Sequence, residues 1–164
     1  MSCDVAMAAY LFLASTGPAG PAGPPPGQVA ALEVPKPVAS QPLFIDIVKR
    51  AGRLRGEIEH YRTPELKAAA AAQPLPGFDK VQSDIAALSA LDMQGHVELA
   101  KSGQDGDLKC ILKGISQDLP LRLKDLMAAS TGMAEDNALR DMSYLLRDNV
   151  EVITTPPKAG SISG

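Results

Sequence analysis

Between positions 41 and 154, large apolar residues recur at intervals of three and four, the repeat that puts side chains on one face of an α-helix. They do so in successive stretches separated by proline and glycine, which leaves an all-helical domain as the natural solution. Phe44, Ile47, Val48, Ala51, Leu54, Ile58 and Tyr61 form the first face, and Lys49, Arg50, Arg53, Glu57 and Arg62 fall opposite it. Ser40 is placed to cap this helix, and Pro42 fits its first turn, where a missing amide hydrogen does no harm. Thr63-Pro64-Glu65 combines a cap, a proline at the first helical position and an acid at the positive end of the helix dipole. The alanine-rich run from Leu66 to Gln73 then reads as a short helix that stops at Pro74-Leu75-Pro76-Gly77.

A third helix is expected from about Phe78 to Lys101, with Phe78, Val81, Ile85, Leu88, Leu91 or Asp92, and Leu99 on its buried side and Gly103 as its stop. Asp105 opens a fourth segment through Leu108, Ile111, Leu112, Ile115 and Leu119. Pro120 interrupts it, because a proline inside a helix removes a hydrogen bond and crowds the preceding turn at a cost of about 3 kcal/mol. Either the helix kinks there or a new one starts, and Leu119, Leu123, Leu126 and Met127 carry the face on toward Gly132. A last helix fits Ala134 to Asp148, and the alternating Val150–Thr154 reads as extended chain.

The expected fold class is therefore all-α, an up-down bundle of four to five helices, since short connections favour antiparallel neighbours. The domain is placed at 41–154. Residues 1–40 read as a disordered arm: from Gly17 to Pro42, 12 of 26 residues are glycine or proline, which favours a flexible, partly polyproline-II chain. Residues 155–164 read as a loose tail. Thirty of the 113 residues in 41–153 are Leu, Ile, Val or Phe, enough for one modest core. The leucines of 119–127 and 139–146 look like more than one bundle can bury, which makes a homodimer a candidate.

Composition narrows the function classes. No apolar run approaches the roughly 18–20 residues of a membrane span, so stable insertion is not expected. A net charge of −3 argues against general nucleic-acid binding. The compartment expected is cytoplasmic. The alternative is export, should residues 1–16, with the apolar Val5–Ala14, act as a signal peptide; against it, that segment has no Lys or Arg ahead of the run and carries Asp4. Met7 is an alternative start to Met1.

Catalytic and metal patterns fail on inventory, so no enzyme activity, cofactor or metal is expected. Glu57-x-x-His60 supplies half of a carboxylate-bridged di-iron pattern, but Asp92 and Met93 stand where His96 needs its partner glutamate. His96-Val97-Glu98 begins a zinc-deaminase signature that no P-C-x-x-C completes. Two cysteines 107 positions apart give no zinc spacing. The function expected is a non-catalytic interaction or regulatory protein that offers a helix face to a protein partner. The basic first helix, at Lys49, Arg50 and Arg53, is one candidate face, and Val150–Ile153 is a candidate strand to add to a partner's sheet edge.

Cys110-Ile111-Leu112-Lys113-Gly114 resembles the H-x-L-K-G box of histidine phosphotransfer domains, with cysteine at the phosphorylated position. The resemblance covers five residues. It implies a four-helix bundle that docks a receiver domain without accepting a phosphoryl group, with Cys110, Lys113 and Gly114 at the contact.

Overall fold

The computed structural model describes residues 37–103 and 106–155. A single 3-10 turn at Val38–Ser40 leads into α1 (Pro42–Tyr61), followed by α2 (Pro64–Ala68), α3 (Phe78–Ser102), α4 (Gly106–Met127) and α5 (Gly132–Thr154). Among the described residues there is no strand. Residues 1–36 of the expected arm, with the candidate signal segment, and Asp105 and the end of the tail lie outside the described residues, while residues 37–40 of that arm are ordered, with Val38 packed against the core.

The four long helices pack as a ring in the order α1, α3, α4, α5, so that α1 faces α4 and α3 faces α5 across the diagonals. This is the up-down bundle that the spacing predicts. Its core is Phe44, Ile47, Leu54 and Ile58 from α1, Ile85, Leu88 and Leu99 from α3, Leu112 and Leu119 from α4, and Leu139, Met142 and Leu146 from α5, all essentially fully buried. Gly95 lets α3 come in close: a Cβ there would stand 3.1 Å from the Phe44 ring and 3.2 Å from Leu112. Gly103, at φ +65°, ends α3 in the left-handed conformation that glycine adopts without strain.

Three expectations need correcting. Ser40 is not the cap of α1; it closes the 3-10 turn by donating to the Pro37 carbonyl (2.7 Å), and Gln41 takes the cap position. The alanine run is not a helix beyond Ala68, because its backbone groups are claimed elsewhere: Ala72 N–H donates to the Ser130 carbonyl and the Ala69 carbonyl accepts from Gly132 N–H, both at 3.1 Å. Alanine's intrinsic preference loses here to tertiary pairing, and Pro74 disfavours a helical Gln73.

Of the two readings of Pro120, the one in which the helix continues holds: α4 runs through it. The carbonyl it leaves without an intrahelical donor is that of Ser116, four residues earlier, and the Ser89 hydroxyl of α3 donates to that carbonyl at 2.7 Å. Finally, α5 begins at Gly132 and continues to Thr154, so Val150–Thr154 is helical. Burying Ile153 (1% exposed) decides this, and the strand-addition surface expected there is not formed.

The bundle takes up most of the leucines of 119–127 and 139–146. Leu119, Leu126, Leu139 and Leu146 are all buried within one bundle, and Leu123 and Leu145 pack against its core. Met127, by contrast, points outward at 65% exposure. Leu121 also points outward, at 52% exposure, so most but not all of these leucines are taken up by the bundle. Among the described residues no helix is long and apolar enough to cross a membrane.

Candidate functional site: an apolar cleft at one end of the bundle

After α2 the chain forms a strap, residues 69–77, across the end of the bundle where α1 stops and α5 starts. Thr63 opens α2 by accepting from Leu66 N–H (3.1 Å), and Leu66 drops into the core. The strap lies against α5 because position 132 is glycine: a Cβ there would collide with the Leu66 carbonyl oxygen and crowd Ala69. The two backbone hydrogen bonds at Ala69 and Ala72 fix that contact.

Side chains complete the anchoring. Glu135, in the first turn of α5, is buried and accepts from Gln73 N–H (2.9 Å). Asp136 beside it accepts from Arg62 Nε (3.0 Å). Burial works against the Arg62 charge, but the hydrogen bonds and charges of Asp136 and Glu59 together outweigh it and hold the guanidinium above its usual value. On the far side, the Tyr61 hydroxyl donates to the Pro76 carbonyl (2.7 Å) and its ring meets Phe78 edge-on, with centroids 5.9 Å apart. Gly77, at φ +73°, turns the strap into α3.

Between the strap, α2 and the end of α1 lies an open cleft of about 780 Å³. Tyr61, Leu66, Ala69, Ala70, Leu75 and Pro76 supply its mainly apolar wall, and His60 and Glu65 stand at its rim. A smaller depression of about 230 Å³ flanks the strap on its other side, against Phe78, Leu126 and Met127. Methionine at such a margin adapts its shape to what it touches.

The residues singled out from the sequence lie elsewhere, and they do not converge. Lys49 is exposed on α1. Arg50 is bonded to Asp46 (2.9 Å). Arg53 is shared between Glu57 and Asp84, both at 2.9 Å. The bonds from Lys80 and Arg53 hold the Asp84 carboxyl below the usual carboxylate range. Much of the basic character expected of α1 is therefore met within the chain. Cys110, Lys113 and Gly114 sit on α4, diagonally across from α1. Lys113 is exposed, and apart from its own stretch of helix nothing lies within 4 Å of where a Cβ on Gly114 would stand. Cys110 is half-buried and is not a free thiol.

His96 Nδ1 donates to the Lys109 carbonyl (2.7 Å), tying α3 to α4, while His60 lies at the cleft rim, and the two histidines form no joint site. Among the described residues no group of three His, Cys, Asp or Glu side chains is placed to hold a metal ion. Pro74-Leu75-Pro76-Gly77 marks the strap in the sequence, but nothing local in the chain pairs it with Gly132.

No family model, curated protein or solved structure matches this chain.

Proposed function

We propose that this chain is a non-catalytic interaction protein whose cleft at the strap end of the bundle takes a short apolar segment of a protein partner. The observation that carries this reading is the cleft itself: about 780 Å³, mainly apolar and open to solvent along one side. An enclosed pocket suits a small molecule that loses most of its surface on binding. An open apolar trough suits a chain segment that presents one side to it and keeps the other in water. The strap is pinned by backbone hydrogen bonds, so the trough is formed before any segment arrives, which lowers the ordering cost of binding.

This places the contact away from Lys49, Arg50 and Arg53, where a partner would have to compete with Asp46, Glu57 and Asp84 for the two arginines. The test is a peptide-display selection on the full chain, with binders then measured against Ala70→Arg. Ala70 is exposed in the cleft wall, so the bulky cation fills the trough without entering the core. Enriched peptides rich in apolar residues should lose at least about tenfold in affinity, equivalent to about 1.4 kcal/mol. Unchanged affinity for Ala70→Arg would place binding outside the cleft and overturn the reading.

A further inference from the structure

Two buried side chains cross the middle of the bundle and leave two of their three acceptor oxygens unused. Asp92 of α3 and Asn149 of α5 are both at 0% exposure, on helices that face each other diagonally. Asn149 Nδ2 donates to Asp92 Oδ2 at 2.8 Å. Asp92 Oδ1 and Asn149 Oδ1 are buried without a hydrogen-bond partner. With Asp92 ionised, the bundle would hold a buried charge on one hydrogen bond and an unsatisfied amide oxygen beside it, both costly in a low-dielectric core. One proton on Asp92 Oδ1 removes both deficits. The resulting hydroxyl would donate to Asn149 Oδ1 while Oδ2 goes on accepting from Nδ2, closing a cyclic acid–amide pair.

We propose that Asp92 and Asn149 form a protonated, doubly hydrogen-bonded pair that locks α3 to α5, and that loss of its proton as pH rises releases the lock. The surroundings favour the neutral form. Burial pushes the Asp92 carboxyl up to about 8, against the Asn149 bond, which acts in the opposite direction; no charged group contributes. On α1, the neighbours of this layer are Phe44 and Ile47, which close on Gly95, while Asp46 and Arg50 pair with each other at the surface. On α4, Leu112 points inward, Lys113 is exposed, and Lys109 gives its carbonyl to His96, the next titratable group along α3. On α5, Arg147 is bonded outward to Asp148 and Glu151. Glu135 and Asp136 lie some 20 Å further along that helix.

The sign follows from linkage. The folded-state value lies above the ordinary one, so the stabilisation is complete below about pH 4 and is lost as pH rises through about 8. Between these limits a single bound proton changes the folding constant by about tenfold per pH unit.

The experiment follows the Asp92 carboxyl carbon by NMR in the ¹³C-labelled full chain from pH 4 to 9, assigned through its own backbone. It should stay at the protonated position through pH 6 while surface aspartates such as Asp125 and Asp141 complete their titration. Titration together with them overturns the proposal. Over the same range, hydrogen-exchange protection at Asn149–Ile153, corrected for intrinsic rates, should fall as the carboxyl ionises; constant protection overturns the release. Urea midpoints should also fall more steeply with pH in the wild-type chain than in Asp92→Asn, and equal slopes overturn the linkage.

Discussion

The strap end and the middle of the bundle both bury carboxylates, and they treat them differently. At the strap end Glu135 meets the Gln73 N–H and Asp136 meets the Arg62 guanidinium, so each buried acid has its own donor. In the middle Asp92 meets one amide hydrogen and two oxygens go without. The difference teaches what each region is built to do. Donors brought in from another element hold the strap, and with it the cleft, in one position. A pair one proton short of donors holds the two diagonal helices in a way that depends on pH.

Substitutions can break this contrast, and the largest effect is expected at the strap. Gly132→Val drives a branched side chain into the Leu66 carbonyl and Ala69, and should cost about 3 kcal/mol or more in urea denaturation, with loss of amide protection at Ala72. Arg62→Met leaves Asp136 buried without its cation. Arg62 keeps about a quarter of its side-chain surface exposed, so a cost of about 2 kcal/mol is expected rather than the 3–5 of a fully buried pair.

In the middle, Asn149→Leu removes the one donor to Asp92 and should cost about 2 kcal/mol, with the Asp92 carboxyl pushed further up. A cost at or below 0.5 kcal/mol would mean that the pair adds little to the core. Ser89→Ala should cost about 1 kcal/mol by orphaning the Ser116 carbonyl that Pro120 cannot serve, and that cost should shrink when Pro120→Ala restores the intrahelical donor. The smallest expected effect on stability is that of Ala70→Arg, within about 0.5 kcal/mol, because the residue is exposed. Its effect on peptide binding should be the largest of the set, which separates the cleft wall from the strap's anchors.

Where helices run, and which faces they bury, could be read from the chain because it depends on neighbours three and four residues apart. Phe44, Ile47, Leu54 and Ile58 needed nothing else. The stretches misread or left open are those whose conformation is settled at a distance. Ala69 to Gln73 look helical alone and are drawn straight by Ser130, Gly132 and Glu135, some 60 residues on. Pro120 survives inside α4 because of a serine on another helix. Val150–Thr154 alternates like a strand, yet its Ile153 also continues the three-and-four spacing of α5 into the core.

The same reason hid the cleft. Surface charge on α1 was visible as a pattern, while the trough exists only once Gly132 has admitted the strap. The spacing leaves Leu91 or Asp92 at the core position of α3; it is Asp92 that is fully buried, and its partner lies 57 residues away with no local mark.

The most direct measurement is chemical-shift mapping on the full, isotopically labelled chain while a selected apolar peptide is added. The cleft predicts shifts concentrated at residues 60–76, with the α5 start at Gly132 and Glu135 following. Shifts centred instead on Lys49, Arg50 and Arg53, or on Lys113 and Gly114, would contradict it and return the contact to the helix faces that the sequence first suggested.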